Sequence, residues 1–157
     1  MNMNFVSADL EFLGSSIKRL DIKNSLVNLS SDVKLSFGID TIIENIEMNS
    51  ELNKRIGNML LKVEIKAKVP KQNSKSSFSL EIEGCFATTV EEQKFINMLY
   101  INGGSCLYSI ARTIILNVSA QTYKNGKITL PMINMVEFMD EKVRSEKEEA
   151  EAKSDKN

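Results

Sequence analysis

The side chains that could carry chemistry in this chain are few, and the most versatile type is missing. The 157-residue sequence contains no histidine and two cysteines, Cys85 and Cys106. Histidine is the commonest general base and metal ligand, and without it a cysteine–histidine nucleophile cannot form. Two cysteines cannot complete a zinc site within one chain. Carboxylate catalysis stays open, but the acids fall on predicted solvent faces or near the C-terminus, so the sequence predicts no enzyme, no metal and no cofactor.

The composition also argues against several kinds of partner. Gly103 and Gly104 lack the following glycine and lysine that would cradle a phosphate. The formal net charge is −1, which leaves no basic excess for nucleic-acid phosphates. No apolar run is long enough to span a membrane, and "MNMNFVSADLEF" lacks the features of a signal peptide. We therefore expect a cytoplasmic protein with reduced cysteines, no nucleic-acid partner and no membrane insertion.

The first half of the chain alternates apolar and polar residues, which is typical of half-buried strands. The pattern is clear in "VKLSFGI" (33–39), "LKVEIKAKV" (61–69) and "FSLEIEGCF" (78–86), and weaker in "SIKRLDIKN" (16–24). The apolar residues of the stretch 41–57 fit a short helix or a loop.

A polar, turn-forming stretch joins two of these strands and predicts a hairpin. A register that places Ile65 opposite Ile82 brings the outward lysines of one strand near the outward glutamates of the other. Opposite charges across two strands favour antiparallel pairing.

The second half changes to a helical period. Thr89 and Glu92 have the spacing of a capping box, and Gly103-Gly104 is expected to break or bend the helix that follows. Helical spacing resumes in an uninterrupted apolar stripe of Leu107, Ile110, Ala111, Ile114, Ile115 and Val118.

The C-terminal part is expected to contain an extended segment, one more helix and a tail. Pro131 excludes regular helix around it, and Asn134 with Glu137 can cap a last helix. The chain then becomes almost entirely charged, which predicts a single domain over 1–144 and a flexible tail over 145–157. Strands followed by helices indicate an α+β fold, with one antiparallel sheet and helices on one face. The other apolar surfaces of so small a chain point to self-association.

This order of elements resembles the SecB family of bacterial protein-export chaperones over residues 17–140. The matching pieces are "DVKLSFGID", "FSLEIEGCF", "SIARTIILNVSAQTYKNG" and "LPMINMVEFMDE". The resemblance implies a four-stranded antiparallel sheet followed by a kinked long helix and a shorter last helix. It also implies a homotetramer, built as a dimer of dimers, that binds unfolded polypeptides without ATP and passes many to the motor protein SecA.

Residues matched one by one to the family give a client-binding groove. They are Val33, Leu35, Phe37, Ile82, Phe86, Phe138 and Met139. Each can also be an ordinary core residue, and this reading is favoured for Val33 and Ile82. Phe138 and Met139 lie on the last helix, where aromatic and methionine side chains make an adaptable apolar surface, and there groove lining is favoured.

The apolar helix and the family's use of such helices between dimers predict an oligomer interface. Its residues are Leu107, Ile110, Arg112, Ile114, Ile115 and Val118. Arg112 matches the family arginine and is interpreted as an interface or helix-packing residue, with an exposed snorkelling arginine as the alternative.

The resemblance assigns Asp21 and Glu81 to a surface that faces SecA. Lys62, Lys66 and Lys68 bring positive charge near this surface, where the family is acidic. Two functions follow as hypotheses. One is an ATP-independent holdase for unfolded or precursor polypeptides, in export or a related role. The other is a SecB-fold oligomeric adaptor for one dedicated partner, such as a toxin–antitoxin component.

Overall fold

The computed structural model of this chain describes residues 9–26, 28–29, 32–70 and 74–154, with side chains as far as residue 145. Four strands come first and the helices follow, as the sequence predicts. The elements are β1 (Glu11–Asn24), β2 (Lys34–Asn49), β3 (Lys54–Lys68), β4 (Lys75–Thr88), α1 (Glu92–Met98), a π-helical turn (Leu99–Gly103), α2 (Gly104–Thr122) and α3 (Met135–Ser154).

The strands form one antiparallel sheet in the order β1-β4-β3-β2. Over most of their length the two central strands, β3 and β4, alternate between buried and more exposed residues, because every second side chain points to the same face. Their apolar residues form the core with α1 and α2, which lie on one face only. The predicted α+β fold is confirmed.

The β3–β4 hairpin is present, but its predicted register is wrong by four residues. Ile65 lies opposite Phe78, and Ile82 lies opposite Leu61. Pairing continues to Lys68 opposite Lys75, so the connecting loop is shorter than expected. Because the shift is an even number of residues, the same side chains still point into the core.

The stretch 41–57 is neither a helix nor a loop, contrary to the prediction. It continues β2, turns at residues 50–53, where Asn53 has a positive φ of 49°, and enters β3. A register shift between Ile43 and Asn45 inserts one extra residue into β2. Such a bulge changes the phase of the alternation, which explains why the period-two pattern is hidden there.

One of the two predicted helix caps is confirmed. The backbone N–H of Val136 donates to Asn134 Oδ1 at 3.1 Å, as expected of a capping asparagine. The capping box at Thr89 is wrong. The N-cap of α1 is Glu91, and no side-chain capping hydrogen bond forms at this helix end.

Gly103 and Gly104 do not break the helix. Both have right-handed helical backbone angles, and the chain passes from α1 through the π-helical turn into α2. A Cβ on Gly103 would lie 3.3 Å from Phe86 Cζ, and one on Gly104 would lie 2.9 Å from Met135 Cε. The two glycines therefore let the joint approach β4 and α3 closely.

The close approach of α2 to the sheet predicts different responses to alanine at two glycines. A Cβ on Gly84 would lie 2.6 Å from Leu107 Cδ2 in the core, so Gly84→Ala should destabilise the fold by about 1–3 kcal/mol. At Gly104 the contact is the mobile end of Met135, and alanine favours helix by about 1 kcal/mol. Gly104→Ala should therefore be nearly neutral. Urea unfolding of both variants checks the difference, and a larger loss for Gly104→Ala would contradict it.

The charged C-terminal segment differs from the predicted tail. α3 continues as far as Ser154, so the backbone of 145–154 is helical, while 155–157 lie outside the described residues. None of the helices described here combines the length and apolar character needed to cross a bilayer.

Candidate functional site

Helix α2 covers only the middle of the sheet. Its residues Leu107, Ala111 and Ile115 are fully buried against the central strands, where Ile65 and Phe78 are fully buried or nearly so. One helix is about 10 Å wide with its side chains, whereas four strands span about 14 Å between their outermost axes. Several apolar side chains of both edge strands are consequently left partly exposed on the helix side.

On one flank of α2 lie Leu35, Phe37 and Ile39, which we name the β2 strip. In the strand register these residues face Ala67, Ile65 and Val63, so they point to the helix side of the sheet. Leu35 is 40% exposed and Phe37 is 38% exposed, while Ile39 is half-buried. The strip is an apolar surface open to solvent.

On the other flank β1 presents a second apolar strip. Its members pair with buried residues of β4 and therefore also point to the helix side; they are Phe12, Ile17, Leu20 and Ile22. Their exposure ranges from 37% for Leu20 and Ile22 to 50% for Ile17. This β1 strip is not evident from the sequence, because two register shifts in β1 break the alternation.

Helix α3 forms a wall beside the β2 strip. Phe138 and Met139 are half-buried, and the Thr41 hydroxyl lies 3.8 Å from Met139 Sδ. Lys142 fixes the helix to the strand, since its Nζ lies 2.5 Å from Asp40 Oδ1 and also donates to the Thr41 carbonyl oxygen. These interactions hold the α3 side chains at the edge of the strip.

Two cavities mark the junction between β2 and α3. One of about 370 Å³ is lined by Ile39, Asp40, Phe138, Glu141, Lys142 and Ser145. The other, of about 340 Å³, is lined by Asp40, Thr41, Ile42, Ile43, Tyr100, Met139, Lys142 and Val143. Apolar and charged side chains share the lining of both cavities.

The predicted groove residues divide between surface and core. Phe138 and Met139 lie at the β2–α3 junction beside Ile39 and Thr41, Leu35 and Phe37 lie further along the β2 strip, and Val33 is partly buried against the core. Ile82 and Phe86 are each 1% exposed beneath the helices, so they belong to the core and not to an open groove.

The predicted interface residues divide in the same way. Leu107 and Ile115 are 0% exposed and form the core of the subunit, so they cannot contact a second copy. Ile110, Ile114 and Val118 are only partly buried, and these three remain available on the surface of α2.

Arg112 fastens α2 to the extended segment that precedes α3. Its Nε donates to the Leu130 carbonyl oxygen at 3.1 Å, and Nη1 lies 2.8 Å from Met132 Sδ. One turn earlier, the Tyr108 hydroxyl donates to the Pro131 carbonyl oxygen at 2.8 Å. These bonds give Arg112 a helix-packing role within the subunit.

The opposite, solvent-facing side of the sheet carries charges of both signs around Asp21 and Glu81. Glu81 lies between Lys62 of β3 and Arg19 of β1 in the strand register, and Asp21 is paired with Arg19. This part of the sheet is therefore not the acidic surface that the resemblance implies for SecA docking.

Further along this side, three charged groups interact directly. Lys18 Nζ lies 2.6 Å from a Glu83 carboxylate oxygen, and the hydrogen bond from Lys18 lowers the pKa of Glu83. Partial desolvation, followed by a hydrogen bond shared with Glu83, raises the pKa of Glu44. The group ties together β1, β4 and the bulge of β2.

The cysteines show no sign of activation. Both are half-buried, and burial raises the pKa of each thiol, which favours the unreactive protonated form. Within the described part of the chain, no three histidine, cysteine, aspartate or glutamate side chains are grouped so as to hold a metal ion.

Comparison with known proteins agrees with the architecture. No protein-family model matches the sequence, and no curated protein matches it significantly. Among solved structures, the Mycobacterium tuberculosis SecB-like chaperone Rv1957, in complex with a ChAD peptide from the Rv1956 HigA1 antitoxin, superimposes with a TM-score of 0.58. The match has 9% sequence identity and covers 79% of this chain and 90% of that chain. A likeness of this kind concerns the backbone, and it shows that this chain has a SecB-like fold.

Proposed function

We propose that this chain is an ATP-independent chaperone, a holdase that binds non-native polypeptide segments along the β2 strip and the α3 wall. The single observation that carries the proposal is the open apolar surface on the helix side of the sheet, where Leu35 and Phe37 are 40% and 38% exposed. Burying apolar surface favours association whatever the sequence of the client, which suits a protein that binds many unfolded chains.

The β2–α3 junction has the features that such binding needs. Phe138 and Met139 add deformable side chains, and flexible methionine-containing surfaces can repack around different partners. Lys142 and Asp40 pair with each other at the edge of the apolar surface, which places polar groups beside it.

A second candidate function is an adaptor for one dedicated polypeptide, such as a toxin–antitoxin component. The observation that favours it is the structural neighbour, which holds a peptide from an antitoxin. Both functions use the same apolar surface and differ in how many sequences it accepts.

Self-association, up to the homotetramer implied by the SecB resemblance, is part of the proposal. The β1 strip and the half-exposed residues Ile110 and Ile114 leave apolar surface that a monomer would expose to water. Multi-angle light scattering over a range of concentrations tests this point, and a monomer at every concentration would contradict it.

The central test is suppression of aggregation. A chemically unfolded, unrelated protein is diluted into buffer with and without this chain, and light scattering is followed in the presence and absence of ATP. We expect the chain to reduce scattering equally with and without ATP, because binding of a client by apolar contact needs no nucleotide.

The assay also separates the two candidate functions. A dedicated adaptor would leave aggregation of the unrelated protein unchanged while binding one peptide saturably. Unchanged aggregation together with no saturable peptide binding would reject both functions.

A further inference from the structure

The strand register places five lysines at one end of the solvent-facing side of the sheet, which we name the lysine patch. They are Lys23, Lys34, Lys66, Lys68 and Lys75, and all five are exposed. Lys34 lies directly opposite Lys68, and Lys68 lies directly opposite Lys75. Three positive charges thus stand side by side across three strands.

This arrangement is unfavourable for the isolated chain. Like charges directly opposite each other on a sheet destabilise it. Among the residues that the structure describes, no carboxylate forms an ion pair with any lysine of the patch. Nor does the chain as a whole have a basic excess that would account for the cluster, since its formal net charge is −1.

Further along the same surface, opposite charges face one another. Two rows further along the strands, Asp40, Lys62, Glu81 and Arg19 face one another in this order across β2, β3, β4 and β1. Charges there alternate in sign. The sheet therefore concentrates unpaired positive charge at one end only.

The patch stands on a well-ordered frame. The N–H of Ser25 donates to the Lys75 carbonyl oxygen at 2.9 Å, and the Lys75 N–H donates to Ser25 Oγ at 2.9 Å. Beneath it, the Tyr123 hydroxyl donates to Ser76 Oγ at 2.8 Å. A cavity of about 540 Å³ opens between the stems of Lys23, Lys66 and Lys75. The paired strands thus fix the backbone positions of the lysines, so only their side chains lose freedom on binding.

We infer that the lysine patch binds an acidic, extended polypeptide segment, at a site separate from the apolar client surface. The shape of the patch favours a linear occupant. Its two rows of lysines span about 14 Å across the strands and about 7 Å along them, which accommodates one extended chain. Carboxylates spaced along such a chain would neutralise the opposed lysines.

Neighbouring residues disfavour other anionic partners. The next row of the surface carries Glu64 and Asp21, so a flat anionic membrane would meet acidic groups together with the lysines. Single-stranded nucleic acid is usually held by base stacking on aromatic rings. The nearest aromatic residues in the strand register, Phe37 and Phe78, point to the helix side instead.

The test uses a fluorescently labelled peptide of alternating glutamate and serine, with a glutamine–serine peptide as its neutral counterpart. Fluorescence anisotropy should show saturable binding of the acidic peptide only, and the binding should weaken as salt is raised. The variant Lys66→Gln/Lys68→Gln/Lys75→Gln should bind about tenfold more weakly or not at all, because three of the five charges are removed.

A matched control removes three lysines elsewhere. Lys54 and Lys94 form ion pairs with acids, and Lys62 lies between acids in the sheet, so Lys54→Gln/Lys62→Gln/Lys94→Gln changes the net charge equally. This control should retain binding within about twofold, since pairs already neutralised contribute little. Equal losses in the two variants would overturn the inference, because they would indicate a general charge effect.

Two further outcomes would also overturn it. One is an absence of acidic-peptide binding by the unmodified chain. The other is tighter binding to phosphatidylserine vesicles or to oligothymidylate, which would assign the patch to a membrane or a nucleic acid. The lysine variant should still suppress aggregation, because its substitutions lie on the other face of the sheet. Failure of the holdase proposal and failure of this inference are thus measured separately.

Discussion

Ile115→Glu should unfold the subunit, whereas Ile114→Glu should leave it folded. Ile115 is 0% exposed beneath α2, and a carboxylate there would be buried without a partner. Leaving a charge buried and unpaired costs about 3–5 kcal/mol, a large part of the 5–15 kcal/mol that stabilises a typical domain. Ile114 is only partly buried, so a glutamate introduced there can place its carboxylate in water. Circular dichroism and urea unfolding distinguish the two outcomes.

The effect of pH gives an independent check on Ile115→Glu. Burial raises the pKa of the introduced carboxyl in the folded state above its value in the unfolded chain. The variant should therefore regain stability at low pH, where the carboxyl is neutral in both states, and lose it as pH rises through the folded-state pKa.

Ile114→Glu adds a readout of self-association. If α2 takes part in an interface, the variant should dissociate at concentrations at which the unmodified chain is oligomeric. A folded Ile115→Glu variant, or an Ile114→Glu variant that is the less stable of the two, would contradict the assignment of these side chains to core and surface.

Much of the fold is predictable from the sequence because its strongest patterns are periodic. The alternation in β3 and β4 and the apolar stripe of α2 each identify one buried face, and both are confirmed. The predictions fail where one inserted residue changes the phase of the alternation, or where the length of a loop sets the strand register. The bulge after Ile43 hides the continuation of β2, and the length of the β3–β4 loop fixes a register that alternation alone cannot distinguish.

The site is less predictable because exposure depends on how far α2 reaches over the sheet. Phe37 and Ile82 lie in equally regular alternating patterns, yet one is 38% exposed and the other 1% exposed. The difference is their strand position, since β2 is an edge strand and β4 is central. A pattern identifies the inward face of a strand, but only the strand order shows which inward faces a single helix can cover.

The strongest test of the β2 strip is Leu35→Ser combined with Phe37→Ser. Both side chains are about two fifths exposed in the free chain, so serine should cost less stability than at a fully buried position of the core. A client would bury the remaining two fifths of each side chain. Since full burial of such a side chain contributes about 1.5–3 kcal/mol, the gain on binding is about 0.6–1.2 kcal/mol each. Each 1.4 kcal/mol corresponds to about tenfold in affinity. The double variant should therefore bind an unfolded client about tenfold more weakly.

A matched control removes exposed apolar residues elsewhere on the chain. Leu52 and Met132 are 61% and 79% exposed, and neither belongs to the β2 strip, so Leu52→Ser/Met132→Ser should retain client affinity. A second comparison is Phe138→Ser/Met139→Ser on the α3 wall. Phe138 is half-buried against the core and Met139 is half-buried beside Thr41, so their substitution should lower both the melting temperature and client affinity.

Two measurements on the same samples decide the assignment of the β2 strip. Thermal unfolding reports whether the fold is intact, and titration with a labelled, permanently unfolded protein reports client affinity. The strip is the client surface if Leu35→Ser/Phe37→Ser lowers affinity while thermal unfolding shows that the variant is still folded at the temperature of the titration. A folded double variant with unchanged affinity would exclude the strip, because burial of these two side chains by a client would then add nothing to the free energy of binding.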